Sequence, residues 1–560
     1  MKTYLQALSL GCASFVIAMS AGEAYAQVIA PSVQPGQIQK RFQKPSPLKV
    51  APELPMPVQG ETAPSKEMQK VRFTLKGVTI KGAKTISDAE LASFYKDRIG
   101  KETSLGDLQG VASAITAHYR NEGYILSRAY IPAQRIENGV VRIEIMEGRI
   151  GKVTVEGIPN DRRSLIQDYA EKMKRAPLSA RDLERYLLLI DDLPGITARG
   201  ILKPSASERG AADLVVTIEE DKFEGAIGID NRGTKYVGPF QTTAMAAFNS
   251  VLGLHERTTV RSVISSPTEE LQYFDITHEE TVGTEGTRVI GTFAYTHTKP
   301  GFILKPLEVE AENISAGLEV SHPFIRSRNQ NLFGVVGYTY SDAEVRLLST
   351  EFTEDRLHVI NLGTSYDVKD RLDGVSRIEG RVHQGLTDEG QGLRRSRFNG
   401  ESDFTKFTAE ALRQQPIWRN IGVLTGVRGQ YSLDPLLASQ EFDLGGEEYA
   451  RAYDPSEVTG DHGLALKIEL NYGNYVGHKY FQSYQLYTYY DLGAVWNEDP
   501  LAGEPDKQSL ASTGLGIRSN VTDAVSGYVE LAFPLTHKVG TQGADDGHDP
   551  RLFVGLTTRF

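Results

Sequence analysis

From residue 222 to residue 560 apolar side chains recur at alternate positions in segments of about ten residues broken by turn residues, the pattern of strands that wall a transmembrane barrel. Sixteen segments can be marked, beginning near Phe223, Phe240, Arg257, Leu271, Thr287, Glu310, Asn331, Arg356, Gly374, Glu401, Ile421, His462, Ser483, Ser509, Ala524 and Arg551. The period of two assigns faces. In the twelfth segment Leu466, Ile468, Leu470 and Tyr472 fall on one side and Lys467, Glu469 and Asn471 on the other, as a lipid-facing wall around a wet lumen requires. In the fifteenth, Val529, Leu531, Phe533 and Leu535 oppose Tyr528 and Glu530. The last segment alternates through Leu552, Val554, Leu556 and Thr558 to an aromatic C-terminal residue, Phe560.

Ahead of the barrel the pattern is different and it repeats. Displaced by 75 positions, Val78-Thr79-Ile80-Lys81-Gly82 aligns with Val153-Thr154-Val155-Glu156-Gly157, and Ser104-Leu105-Gly106-Asp107-Leu108 with Ser179-Ala180-Arg181-Asp182-Leu183. Each copy opens on an alternating strand and carries a Ser-x-x-Asp helix start, where the serine accepts from a free backbone N–H and the aspartate complements the helix dipole. Leu108, Val111, Ala112, Ile115 and Tyr119 share one face of the helix that follows. A strand around Tyr124 to Ile131, an Asn138-Gly139 turn and a strand with alternating Val141, Ile143 and Ile145 complete the first copy. The expected order in both copies is strand, helix, helix, strand, strand, giving small α+β modules at 72–150 and 151–221.

Residues 1–26 read as a secretory signal: Lys2 supplies the positive end, Leu5 to Ala21 is uncharged, and Ala24-Tyr25-Ala26 forms a small-x-small cleavage site. The only cysteine, Cys12, lies within it, so the mature chain is expected to have no disulfide, thiol nucleophile or cysteine metal site. Residues 27–71 are rich in proline and read as an extended linker, with Gly36 to Gln43 as a possible short helix whose part in plugging a pore stays open. No later run of about 18 apolar residues predicts a spanning helix, so a membrane form has to be a β-barrel.

A formal charge of −11, with acidic and basic residues interspersed, argues against nucleic acid as a partner. The histidines are dispersed, and neither His-Glu-x-x-His, a P-loop nor Gly-x-Ser-x-Gly occurs. No catalytic residue, metal or cofactor is expected, and the chain does not read as an enzyme. Asp545-Asp546-Gly547-His548-Asp549 reads as a hydrated loop rather than a cation site.

The repeat looks like a pair of POTRA domains. Gly123-Tyr124, Ile131-Pro132-Ala133-Gln134 and Glu147-Gly148 in the first copy and the run from Leu187 to Gly195 in the second are similar to those of the two-partner secretion transporters, the haemolysin secretion/activation family (ShlB/FhaC/HecB). That resemblance covers roughly residues 72–560. It implies a 16-stranded antiparallel barrel in a Gram-negative outer membrane, surrounded by its lipid, with POTRA domains in the periplasm that receive an unfolded partner exoprotein of the haemolysin or adhesin class. It also makes the last strand, with Val554, Leu556 and Phe560, a signal read by the barrel assembly machinery. An assembly factor for other barrels, with the same architecture, and a passive porin are the competing readings.

The long segment 436–461 between the eleventh and twelfth strands resembles the family's loop that folds back into the lumen and carries a Val-Arg-Gly-aromatic tip. Its flanks hold Gly445, Gly446, Gly460, Asp461 and Gly463, and its tip matches at Arg451 and Tyr453. Ala450 and Ala452 depart from the motif, and alanine at 452 disfavours the positive φ that glycine permits there. The family's partner motif on the thirteenth strand matches Tyr489-Tyr490-Asp491-Leu492-Gly493. Parity sends Tyr484, Leu486, Tyr490 and Leu492 to lipid and Tyr489, Asp491 and Gly493 to the lumen, where Arg451 is the natural partner of Asp491.

Overall fold

The computed structural model describes residues 30–43, 69–158, 164–174, 176–208, 210–387, 394–500, 504–542 and 547–560. The expected signal segment, most of the linker and Asp545-Asp546 fall outside the described residues.

In the first module the helix Leu105–Asn121 starts at a full capping box. The Ser104 hydroxyl accepts from Asp107 N–H at 3.0 Å, and the Asp107 carboxylate accepts in return from Ser104 N–H at 2.9 Å. The helix buries Leu108, Val111, Ala112, Ile115 and Tyr119 against Val141, Ile143 and Ile145 of the strand Val140–Met146. That strand is central in its sheet, parallel to Gly77–Lys81 and antiparallel to Arg128–Tyr130. Asn138 and Gly139 both have positive φ, 55° and 72°, so the backbone there turns as an Asn-Gly pair favours. The second module has the same layout: helices Ser164–Lys172 and Ala180–Asp191 pack on a sheet ordered Arg149–Glu156, Ala211–Glu220, Ile196–Pro204. The repeat extends to the backbone: Gly82 and Gly157 both sit at φ 90°, where a Cβ would strike the carbonyl oxygen of Ile145 at 2.2 Å or of Ile218 at 2.1 Å. One boundary moves. The strand Arg149–Glu156 spans the expected division at residue 150, so the modules meet at Glu147-Gly148.

Among the described residues sixteen antiparallel strands then close into a barrel, each paired with the next in sequence and the last with the first. They are Phe223–Asp230, Phe240–Asn249, Arg257–Ser266, Gln272–Val282, Thr287–Thr298, Glu310–Arg326, Gln330–Leu347, Thr350–Lys369, Val375–Leu386, Thr405–Trp418, Ile421–Ser432, His462–His478, Phe481–Trp496, Lys507–Asn520, Val525–Pro534 and Arg551–Arg559. The faces follow the sequence: Leu466, Ile468, Leu470 and Tyr472 are exposed on the outside, whereas Glu469 and Asn471 are buried inside.

Two starts differ from the sequence reading by more than three residues. The eighth strand begins at Thr350 rather than near Arg356, and the tenth at Thr405 rather than near Glu401. Wall height is uneven: the first four strands have 8, 10, 10 and 11 residues, the sixth to eighth 17, 18 and 20.

The first strand follows directly on the second module, which docks on the rim at that end. Asp192 accepts from Arg326 Nε and Nη2 at 2.6 and 2.8 Å, Arg185 donates to Pro323 O at 3.0 Å, and Lys172 pairs with Glu285. These contacts set the module's bearing on the pore mouth.

Candidate functional site: the occupied lumen

Two segments fill the lumen. The first is a helix, Pro35–Phe42, begun by a proline where the missing N–H costs nothing. Side chains hold it to the lumenal connection 433–461, to the loop after the first strand and to the wall. Gln37 Nε2 donates to the carbonyls of Ala438 at 2.6 Å and Glu441 at 3.3 Å, Lys40 Nζ reaches Glu441 O at 3.1 Å, and Arg41 reaches Arg232 O at 3.1 Å. Gln39 bonds both Asn313 and Ser315 on the sixth strand, and Phe42 packs on Tyr273 with ring centroids 4.8 Å apart. The short helix expected within Gly36 to Gln43 thus lies inside the barrel, and Ser439 presses against it so closely that a Cβ at Gly36 would come within 2.5 Å of the serine Cβ.

The second is the connection between the eleventh and twelfth strands, residues 433–461, three residues longer at its start than the sequence suggests. It folds back as a hairpin with Phe442–Leu444 paired to Val458–Gly460. Gly445 and Gly446, at φ 119° and 97°, open the tip, and a Cβ at Gly445 would lie 2.1 Å from Asp454 O. A Cβ at Gly463 would come within 2.0 Å of the Phe442 ring and one at Gly493 within 2.8 Å of Leu444, so these two glycines of the wall let hairpin and barrel touch. The left-handed residue at the tip is Ala450, φ 57°, not position 452. Ala452 has no positive φ to tolerate, so the strain foreseen there falls two residues earlier.

Arg451 is buried at the centre of this arrangement. Its Nε and Nη2 donate to the two oxygens of Asp491, each at 2.9 Å, its backbone N–H adds a third bond to Asp491 at 3.1 Å, and its Nη1 donates to Glu469 at 2.6 Å. The guanidinium lies 3.5 Å from the centroid of the Tyr489 ring. Around it the network continues: Arg518 binds Glu469 at 2.8 and 3.0 Å, Tyr487 and Tyr489 donate to Glu530 at 2.7 and 3.2 Å, and Arg232 lies 3.0 Å from Glu530. Arg232, Arg451 and Arg518 thus face Glu469, Asp491 and Glu530 at matched formal charge. A charge buried without such matching is strongly unfavourable. Tyr453 is held differently. Its hydroxyl donates to Ala511 O at 3.0 Å and accepts from the N–H groups of Leu535, Thr536 and His537 at 3.1 to 3.2 Å.

The root of the hairpin carries a second buried pair, between Asp461, one of the loop flanks marked in the sequence, and Arg397, which no motif marks. Asp461 accepts from Arg397 at 2.6 and 2.7 Å, from Leu436 N–H at 2.6 Å and from Glu498 N–H at 2.8 Å, joining three far-rim loops. Phe560 closes the barrel: its N–H donates to Gly225 O at 3.0 Å and its carbonyl accepts from Gly225 N–H at 2.8 Å, while Val554 and Leu556 face outward beside it.

Among the described residues one group brings metal-ligating atoms together, His297, Glu310 and Glu312 within 4.8 Å. Lys299 Nζ stands 3.0 Å from Glu310 and supplies the countercharge that a cation would bring.

Two family models match the chain: "POTRA domain, ShlB-type" over residues 73–148 and "Haemolysin secretion/activation protein ShlB/FhaC/HecB" over residues 293–519. The chain belongs to the haemolysin secretion/activation family. Among relatives of this family, the Heme/hemopexin transporter protein HuxB of Haemophilus influenzae (strain 86-028NP) is 24% identical over 84% of this chain and 85% of its own. The Outer membrane transporter CdiB of Escherichia coli O6:K15:H31 (strain 536 / UPEC) is 24% identical over 71% of this chain and 69% of its own. The solved structure of CdiB from Escherichia coli shares the fold, with a TM-score of 0.72 at 22% identity, covering 95% of this chain and 98% of that one. Membership places the barrel in the outer membrane, with the modules in the periplasm and the far rim at the cell surface.

Proposed function

We propose that this barrel is the translocation pore of a two-partner secretion system and exports one large partner protein, which the periplasmic modules receive unfolded. The observation that carries this reading is the occupied lumen. A helix and a hairpin obstruct the pore, and both are fastened by side-chain hydrogen bonds and ion pairs rather than by strands of the wall. Such fillers can leave or shift without opening the barrel, which a passive porin does not need.

The geometry supports the following roles for the site residues. Arg451, clamped by Asp491 and Glu469, holds the hairpin tip to the wall. Tyr453 ties the same tip to the turn after the fifteenth strand. Gly493 and Gly463 leave room for the hairpin's close approach, and Asp461 fixes its root. Entry of the partner fits the outer strand Ile196–Pro204 of the second module, which among the described residues has one strand neighbour, Ala211–Glu220, leaving its other edge to pair with an extended chain through its backbone.

The test is deletion of the gene, comparing culture supernatant, cell surface and outer-membrane proteins with the parent strain. Loss of one large exported protein, with its precursor retained or degraded in the periplasm, is the expected result. Broad depletion of barrel proteins would make the chain an assembly factor, and reduced uptake of small solutes with no loss of protein would make it a porin.

A further inference from the structure

The turn joining the second and third barrel strands, Ser250 to Glu256, lies on the periplasmic rim and presents Val251, Leu252 and Leu254 to the outside at 65, 70 and 51% exposure. It is a shaped element. The buried Glu256 carboxylate accepts from Leu252 N–H at 2.6 Å through one oxygen and from Leu254 N–H at 3.0 Å through the other, and Ser250 N–H donates to Glu256 O at 2.7 Å. Ser250 and His255 take positive φ, 54° and 58°, to make the bend. Asn249, at its base, donates to Asp221 O at 2.9 Å and Glu224 at 3.0 Å, which ties the turn to the junction between module and barrel. The turn's internal bonds hold these three aliphatic side chains in the open, where an apolar partner would cover them.

Continuity identifies that partner. Directly above the turn the outer wall carries Phe248, Phe223 and Phe560, with ring centroids 5.4 Å (Phe223 to Phe248) and 6.1 Å (Phe223 to Phe560) apart, and all three are exposed on the lipid-facing side. The wall is also short here. The first strand has 8 residues, which at a rise of about 3.3 Å and a tilt of about 40° spans roughly 20 Å, against an apolar band of about 25 Å. Val251, Leu252 and Leu254 extend the apolar surface downward beside this short first strand, whose other neighbour, the sixteenth strand, has only 9 residues. We propose that the turn Ser250–Glu256 inserts into the periplasm-facing leaflet of the outer membrane, with phospholipid acyl chains as the partner of its aliphatic triad, and so sets the depth at which the barrel seam and the module junction sit.

The experiment uses the full chain with Cys12→Ser, so that an introduced thiol is the only one, reconstituted in phospholipid vesicles. Leu252→Cys carries an environment-sensitive fluorophore, and Asp373→Cys, in another turn of the same rim, is the reference. The expected result is blue-shifted emission at 252 that is quenched several-fold more by lipid bearing a shallow nitroxide than by aqueous iodide, with the opposite preference at 373. Iodide quenching at 252 equal to that at 373 would overturn the proposal, as would protection that appears only on raising the protein concentration, which would assign the triad to a second copy, or only on adding an unfolded polypeptide. A label at Leu254→Cys in a Val251→Asp, Leu252→Asp chain checks the cause: heat-modifiable migration of the folded barrel is retained and nitroxide quenching is lost. Retained nitroxide quenching in that folded chain would overturn the assignment to the triad.

Discussion

Arg451 is gripped from two sides, which changes what a charge exchange at this site does. Arg451→Ala leaves Asp491 and Glu469 facing each other in a buried site, and loss of one partner from such a pair costs about 3 to 5 kcal/mol, less where lumenal water reaches it. The expected outcome is a hairpin released from the wall, read as higher and noisier conductance in planar bilayers. Arg451→Glu with Asp491→Arg is expected to recover only part of the closed state, because the new carboxylate meets Glu469; adding Glu469→Gln recovers more. The pair Arg451 and Asp491 is legible in the sequence because a motif and strand parity both point to the lumen. Glu469 is legible as an inward residue and no further, since its partners Arg518 and Arg451 depend on register across strands and on the fold of a loop. Arg397 and Asp461 lie 64 residues apart in different connections, and no spacing rule joins them.

The two helix features at the next scale behave differently under test. The plug helix is fixed by its glutamines, so Gln37→Ala with Gln39→Ala removes hydrogen bonds of about 0.5 to 1.5 kcal/mol each. The pore is then expected to be open roughly tenfold more often or better, as measured by single-channel recording, while the barrel's heat stability is unchanged. The helix Leu105–Asn121 depends on its capping box. The backbone N–H and hydroxyl of Ser104 hold the Asp107 carboxyl below its ordinary range. A depressed carboxyl pKa stabilises the fold above the unfolded value near 3.9 and ceases to do so as pH falls through the lower folded value. Ser104→Ala is therefore expected to weaken the helix by about 1 kcal/mol at neutral pH, with a smaller difference from wild type below about pH 4, followed by hydrogen exchange of residues 105–121 in the intact protein. Both capped helices and the repeat were readable from sequence, as were most strand starts. The misplaced eighth strand shows the limit. Thr350 to Asp355 stands beyond the apolar band, where polar residues suit both faces and alternation carries no signal.

At the scale of the molecule, the second module is keyed to the barrel by Asp192 with Arg326 and by Lys172 with Glu285. Asp192→Ala with Glu285→Ala is expected to broaden the distance between the module and the pore rim, seen by paired spin labels, and to reduce export while the barrel assembles normally. The sequence shows that module and barrel are neighbours in the chain, but their bearing on one another rests on rim turns that no pattern marks. The uneven wall has its own consequence. Since the sixth to eighth strands run to 17, 18 and 20 residues and the first four to 11 or fewer, the barrel stands above the cell surface as a half-parapet. A polypeptide leaving the pore meets a fixed β-wall on one flank and open water on the other, so its exit has a direction, and the first residues to emerge begin to fold beside a rigid edge instead of in free solution.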